Sequence, residues 1–286
     1  MILRVVLAAF LTVLGSAALA KPPVWTVTHH RATVILFGSI HLLPAGLDWR
    51  PAQLASALAK ADLLYFELPL DQATDEQAAA LFAGRGMLRA DDSLSAHLPP
   101  ALNERLRRTA LELGVSTAAL DRMRPWFAEV TLSVLDDLRA GGQVSEGVER
   151  QIQALAPSRA RRKAFESPRD QIDSLADTPE PDQIASLDET LTEIEGRPTI
   201  FRRLVGEWMN GDLAGLQTDA LQPLEVASPT SYRRLITERN RRWSEVIRRL
   251  LTHRGTTVVV VGIGHLLGPE GLPALLRNSG FAVAGP

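Results

Sequence analysis

The stretch that decides the fold is TTVVVVGIGHLLGP, at residues 256–269. A run of β-branched residues leads into glycine and then His265, which indicates a buried strand that ends in a sharp turn. A similar phrase, TVILFGSIHLLP, occupies residues 33–44 and carries His41 in the equivalent position. Both phrases contain glycine, two residues, histidine and Leu-Leu. We therefore expect two strands that each deliver a histidine at their carboxyl end.

The first twenty residues, MILRVVLAAFLTVLGSAALA, have the layout of a secretory signal peptide. Arg4 precedes an apolar stretch at 5–14 that is shorter than the roughly 20 residues of a membrane span. Small residues end the segment at Ala18-Leu19-Ala20. We predict cleavage after Ala20 and a periplasmic or secreted mature protein, without stable membrane insertion.

Composition excludes several classes of function. The chain has no cysteine, so disulfides, thiolate nucleophiles and cysteine-type zinc sites are all excluded. The formal net charge is −2, and removal of Arg4 makes it one unit more negative. This balance gives no electrostatic reason to bind nucleic acid or an anionic membrane.

Strand patterns lie at both ends of the chain, and helical patterns fill the middle. A hairpin is predicted at 24–30 and 33–40, and the helix at 51–61 with the strand at 62–69 completes a βαβ unit. From residue 71 to about 250 the pattern is helical, apart from a short strand at 161–167. The chain closes with a helix at 231–255 ended by Gly255, a strand at 256–264, a helix at 268–280 and a strand at 281–284.

This order of elements predicts an α/β fold. The central mixed sheet would be built from the N- and C-terminal strands, which must be neighbours for the sheet to close. A large helical insertion would occupy about 71–255, within a single domain at 21–286.

Three chemically active residues fall at carboxyl ends of predicted strands, where open α/β sheets bind ligands. They are His41, Glu67 and His265. Two imidazoles and a carboxylate suit Zn, Mn, Fe or Co. Each histidine alone is more often an ordinary loop residue. Glu67 lies in an apolar strand, so it needs either a metal or a partner such as a helix arginine.

Familiar catalytic and nucleotide-binding motifs are absent from the sequence. The phrase GIGHLLG has its third glycine one residue late for a dinucleotide loop, and too few residues follow it for the next strand. No G-x-S-x-G, H-E-x-x-H or Walker motif occurs. Gly38 and Gly264 are expected to permit sharp turns or close approach beside the two histidines.

Five segments together resemble the TraB/PrgY/GumN family: LFGSIHLLP, YFELPL, MRPWFAEV, LITERNRRW and VVVVGIGHLLGPEGLPALLRNSGF. This family is similar to the Tiki metalloproteases and, more distantly, to the erythromycin-esterase/ChaN-like (EreA/ChaN-like) superfamily. The resemblance implies an α/β fold and a divalent-metal-dependent hydrolase of the peptidase type. It assigns the family's two histidines to His41 and His265, and its strand-end glutamate to Glu67.

The resemblance also implies roles for residues outside these three. Glu166 matches a carboxylate that ends a middle strand, and Arg239 with Asn240 matches a helix motif that would orient a carboxylate or bind substrate. Ser39, in the first phrase, is a further candidate for substrate binding. An Arg-rich helix face is the alternative for Arg239, because such faces are usually solvated. Glu149 stands where relatives often have Asp, which puts any role of that acid in doubt.

Three functions remain open from the sequence. The leading one is metal-assisted hydrolysis of a peptide or other small molecule, with His41, Glu67 and His265 as metal ligands and Glu166 as a catalytic residue. In a variant of this scheme, Glu67 is the general base and Glu166 completes the ligand set. The second function is hydrolysis by a histidine and a carboxylate without metal. The third is capture of a peptide or of haem without turnover.

Overall fold

A computed structural model describes residues 21–196 and 199–286 of the chain, so the predicted signal peptide lies outside the described residues. The strands form one six-stranded mixed sheet in the order β4-β3-β5-β2-β1-β6. Their bounds are β1 (Val24–His29), β2 (Ala32–Ser39), β3 (Leu63–Phe66), β4 (Arg161–Ala164), β5 (Gly255–Gly262) and β6 (Ala282–Ala284).

The C-terminal strand β5 lies beside the N-terminal strand β2, as the sequence predicted. The two run parallel over their full length, from Ala32 opposite Gly255 to Ser39 opposite Gly262. On the other side of β2, strand β1 pairs antiparallel as the predicted hairpin, and β6 extends it. The expectation that the sheet joins both ends of the chain is therefore confirmed.

The predicted βαβ unit differs from the observed pairing in one respect. Strands β2 and β3 are parallel, but β5 lies between them, so they do not pair with each other. The physical reason is the composition of β5, whose residues 258–261 are all valines with no measurable exposure. A strand with such a continuous apolar run is most stable in the centre of a sheet covered on both faces. The charged strand β4 takes the edge.

Helices fill most of the region between β3 and β5 and cover the sheet. Their bounds are α1 (Ala52–Lys60), α2 (Gln72–Gly86), α3 (Leu94–His97), α4 (Pro100–Glu112), α5 (Thr117–Leu120), α6 (Pro125–Arg139), α7 (Val148–Leu155), α8 (Pro168–Ala176), α9 (Glu180–Gly196), α10 (Ile200–Asn210), α11 (Leu213–Leu216), α12 (Gln222–Ala227), α13 (Pro229–Tyr232), α14 (Glu238–Leu250) and α15 (Leu272–Asn278).

Two boundaries predicted near the C-terminus are wrong. The helix predicted at 231–255 is divided by a π-helical turn at Arg233–Thr237 and ends at Leu250. Gly255 is not its cap but the first residue of β5, with φ of 118°. The strand predicted at 256–264 ends at Gly262, because the next residues form a 3₁₀ turn, Ile263–Leu266, that contains His265.

Two hydrophobic clusters stabilise the fold. The larger one surrounds the sheet and includes Phe37, Trp49 and Trp208, whose rings pack together. The smaller one lies among the helices of the insertion, around Leu94, Leu132 and Leu187. Within residues 21–196 and 199–286, no helix combines the length and apolarity that crossing a membrane requires.

Candidate active site

The carboxyl ends of four neighbouring parallel strands bring the predicted residues together. Glu67 follows β3 directly, Glu166 lies two residues after β4, and His41 lies two residues after β2. His265 is carried by the 3₁₀ turn that follows β5. The backbone N–H of Glu166 donates to the carbonyl of Glu67 at 3.0 Å, which holds the two acidic residues side by side.

Arg239, near the start of α14, connects the two carboxylates. Its Nη2 donates to Glu67 Oε2 at 2.7 Å, and its Nε lies 3.0 Å from Glu166 Oε2. All three residues are buried, with Arg239 only 5% exposed. The alternative of a solvated Arg-rich face is therefore wrong for Arg239, whereas Arg241 on the same helix is exposed.

Aromatic packing fixes this guanidinium in place. Arg239 Cζ lies 4.6 Å from the centroid of the Trp243 ring, one helical turn along α14. The indole N–H of Trp243 donates to Glu166 Oε1 at 3.1 Å, and Arg242 reaches the same oxygen at 3.2 Å. Glu166 is thus held by three donor side chains, which satisfies the requirement of a buried carboxylate for partners.

His265 is neutral and has a defined tautomer. Asn240 Nδ2 donates to the carbonyls of His265 and Glu270, so Asn240 Oδ1 is left as an acceptor 2.7 Å from His265 Nδ1. The proton therefore lies on Nδ1, and Nε2 carries a lone pair that faces Arg239 Nη1 at 3.2 Å. Burial, together with the charges of Arg239 and His41, lowers the pKa of His265 to about 3.

Glu67 is ionised across the physiological range. Burial alone would raise its pKa, but the positive charge of Arg239, with His265, His41 and the Gly262 N–H, outweighs burial and lowers the pKa to about 2. The Gly262 N–H donates to Glu67 Oε1 at 2.6 Å. A carboxylate stabilised to this extent is a weak base.

His41 forms a second pair with Glu149, the acid at the start of α7. Its Nδ1 lies 2.7 Å from Glu149 Oε1, and the buried Ser39 hydroxyl donates to the same oxygen at 2.6 Å. The charge of Glu149 is the main cause that raises the pKa of His41 to about 9. The His41 side chain is 63% exposed to solvent.

One cavity of about 290 Å³ has His41, Glu67 and Glu149 on its wall. Apolar side chains form much of the remaining wall, among them Leu68, Leu70 and Val144. The cavity therefore combines an exposed imidazole, an ionised carboxylate and an apolar surface, a combination typical of small-molecule sites.

The predicted metal ligands border this site, but Arg239 lies among them. In the part of the chain that the structure describes, no three His, Asp or Glu side chains are spaced as a metal-ligand group. Glu67 Oε1 and His265 Nε2 are 3.8 Å apart, yet both residues contact the Arg239 guanidinium, and His41 Nδ1 is taken by Glu149. The residues in this arrangement do not fit a divalent ion, because its binding would require Arg239 to move.

The structure thus brings His41, Glu67, His265, Arg239, Asn240 and Glu166 into one region, as predicted. Asn240 and Ser39 contact the acid–base groups themselves, so both have positioning contacts, while their predicted contacts with substrate stay predictions. The sequence left the role of Glu149 in doubt and gave no role to Trp243. The sequence signal for Glu149 is the family resemblance, which places an acid at this position. In the structure, a Cβ added at nearby Gly147 would lie 2.2 Å from the His41 carbonyl oxygen, so a glycine there lets α7 approach His41.

Comparison with known proteins identifies the family. A model of the TraB/PrgY/gumN family matches residues 23–284, nearly the whole chain, so the chain belongs to this family. No curated protein and no solved structure matches it.

Proposed function

We propose that this TraB/PrgY/GumN family member is an exported hydrolase that activates water with a histidine held by a carboxylate. The observation that carries the proposal is the His41–Glu149 pair at 2.7 Å, open to solvent in a cavity that also contains ionised Glu67. A histidine oriented by a buried acid is the arrangement that general-base catalysis requires.

In this scheme, His41 is the catalytic base. Glu149 accepts from Nδ1, so the unprotonated form of His41 presents the Nε2 lone pair to a water in the cavity. The water oxygen attacks the scissile carbonyl carbon as Nε2 takes the proton. The imidazolium then gives that proton to the leaving amine or alcohol, which balances the hydrolysis.

Glu67 supports the charged form of His41. Its negative charge is one of the causes that raise the pKa of His41, although Glu149 has the larger effect. Arg239 and the Gly262 N–H keep Glu67 ionised and fixed. Glu67 therefore acts as an electrostatic partner here, and its weak basicity argues against its acting as the general base.

The cavity wall indicates the class of substrate. Leu68, Leu70 and Val144 offer an apolar surface next to His41, which suits a substrate with an apolar group beside the scissile bond. A peptide or another small acyl compound meets this requirement. The signal-like leader at residues 1–20 supports export to the periplasm or beyond.

A metal-assisted form of the reaction is the second candidate. The observation in its favour is the neutral His265, whose Nε2 lone pair lies 3.8 Å from Glu67 Oε1. With Arg239 displaced, His41, Glu67 and His265 would be the ligands of Mn, Co, Zn or Fe. Such an ion, when bound, would supply an acidic water and polarise the carbonyl.

The test is hydrolysis of a panel of peptides and acyl esters by the mature protein after exhaustive chelation. We expect turnover that is retained without metal and falls about 100-fold or more in His41→Gln, because general-base catalysis is lost. His29→Gln is the matched control, since His29 lies exposed at the end of β1, outside the cavity lining.

Other outcomes distinguish the alternatives. Activity that appears only with added metal, together with metal in wild type but not in His265→Ala by elemental analysis, would favour the metal-assisted form. Binding of a peptide or of haem without turnover, unchanged in His41→Gln, would contradict the hydrolase proposal and favour capture.

A further inference from the structure

A second cavity lies at the end of the sheet opposite the candidate active site. It has a volume of about 610 Å³, within the range of small-molecule sites. Its walls are the first residues of the parallel strands β3, β4 and β5 and the C-terminal half of α14. The same helix carries Arg239 at its other end, so the two sites are separate cavities on shared elements.

Four basic side chains line this cavity from two directions. Arg161 and Lys163 come from β4, and Arg249 and Arg254 come from α14 and the turn after it. Within the described residues, none of the four has a carboxylate oxygen within 4 Å. Arg85 and Arg105, in the helical insertion, each contact two carboxylates.

The one acid on the wall, Asp62, offsets only one of the four positive charges. Asp62 Oδ2 accepts from the N–H of Thr256 at 2.9 Å and lies against Gly255, so its role is to hold the start of β5. The cavity therefore has an excess of positive charge in a chain whose formal net charge is −2.

Two structural explanations account for only part of the cluster. Charged residues on an edge strand such as β4 prevent edge-to-edge pairing, and cations near the end of α14 suit the helix dipole. Neither explanation says why the cations of β4 and those of α14 line the same cavity. Strand alternation places Arg161 and Lys163 on the same face of β4, whereas Arg162 between them donates to the carbonyls of its own loop.

Three residues with hydroxyl groups are also part of the lining, together with His253 and apolar residues such as Leu63 and Leu250. Tyr65, Thr256 and Thr257 lie on the same wall as the cations. Guanidinium groups bind phosphate oxygens through paired N–H donors, and hydroxyls add further donors. We propose that this cavity is a binding site for a phosphate-bearing anion, distinct from the candidate active site.

The test is titration of the mature protein with inorganic pyrophosphate by calorimetry, first at low ionic strength and then at an ionic strength of about 0.15 M. A parallel arm measures sedimentation with phosphatidylcholine vesicles that contain phosphatidic acid. The cavity variant is Arg161→Ala/Arg249→Ala, with one change on each wall. The control, Arg241→Ala/Arg248→Ala, removes the same charge from exposed positions of α14 outside the cavity lining.

We expect pyrophosphate to bind wild type, more weakly as salt rises, and the cavity variant to lose affinity about tenfold or more, since each lost charge-assisted hydrogen bond contributes that order. The control should stay within about twofold of wild type. Vesicle binding that is lost in the cavity variant and competed by pyrophosphate would identify a lipid headgroup as the source of the phosphate. Absence of binding in both arms, or equal losses in both double variants, would overturn the proposal.

Discussion

Arg239 is the residue on which the buried charges of the site depend. Its guanidinium contacts Glu67, Glu166 and His265 Nε2 at once, and the residue is almost completely buried. Removing one partner from a buried ionic network leaves uncompensated charge in a poorly solvated region. The residue is therefore important for stability as well as for the electrostatics of the cavity.

Arg239→Met tests this dependence. We expect a loss of about 3–5 kcal/mol in the free energy of unfolding, because Glu67 loses its only guanidinium partner among the described residues. Urea denaturation measures it. Arg241→Met, two positions along and exposed, should change stability by less than about 0.5 kcal/mol. Equal and small effects in both variants would contradict the network's structural role.

At the scale of elements, the turn that carries His265 packs directly on the end of β2. A Cβ added at Gly38 would lie 2.3 Å from Ile263 Cδ1 and 3.0 Å from Ile263 Cα, so this glycine permits the close approach. Gly264 was also expected to permit a close approach, but the structure supports this less strongly. A Cβ added there would contact the flexible tip of Leu221 at 3.0 Å.

Gly38→Ala should therefore be the more harmful of the two substitutions. We expect it to cost about 1–3 kcal/mol through overpacking, whereas Gly264→Ala should cost about 1 kcal/mol or less. Gly84→Ala is a positive control, because nothing lies within 4 Å of its Cβ position in α2 and alanine favours a helix by about 1 kcal/mol. Thermal unfolding of the three variants gives the ranking, and a harmless Gly38→Ala would refute it.

The sequence predicted elements where one periodicity dominates. The valine run of β5 and the alternating hairpin were clear, and even the short edge strand β4 was found. Boundaries failed where tertiary contacts decide them. The start of β5 is held by the hydrogen bond from the Thr256 N–H to Asp62, a residue almost 200 positions away, which no local pattern reveals.

At the scale of the whole molecule, the order of the strands was only half predictable. Adjacency of β2 and β5 follows from the need to close the sheet, but insertion of β5 between β2 and β3 depends on long-range packing. The candidate active site was likewise only partly predictable. Strand ends indicated His41, Glu67 and His265, while the place of Arg239 between Glu67 and His265 depends on how α14 packs across them.

The three shifted site residues predict how stability depends on pH. The pKa of His265 is about 3 in the folded protein, against an ordinary value of 6.5 in the unfolded chain. The unfolded chain therefore binds this proton more tightly, and stability falls as pH drops from 6.5 to 3. The pKa of Glu67 is lowered from 4.5 to about 2 on folding, so further stability is lost as pH falls between these two values. His41 is raised to about 9, so its stabilisation is present below 6.5 and is lost as pH rises to 9.

The contribution of these three residues to stability should therefore be greatest near pH 6.5 and decline on both sides. Urea unfolding at a series of pH values measures the profile. His41→Gln should flatten the alkaline decline between 6.5 and 9. It should also make the acidic decline smaller, because the charge of His41 is one of the causes that lower the pKa of His265 and of Glu67. An alkaline decline that persists in this variant would show that His41 is not its source.

The pH dependence of turnover in Glu149→Gln tests the central claim most directly. With the substrate that wild type hydrolyses best, the rate should rise with pH until His41 loses its proton near 9. Glu149→Gln removes the charge that raises the pKa of His41. The rise of the rate with pH should therefore be centred closer to the ordinary histidine pKa of 6.5, with a lower maximum rate. Identical profiles in both proteins would contradict the assignment of His41 and Glu149 as the water-activating pair.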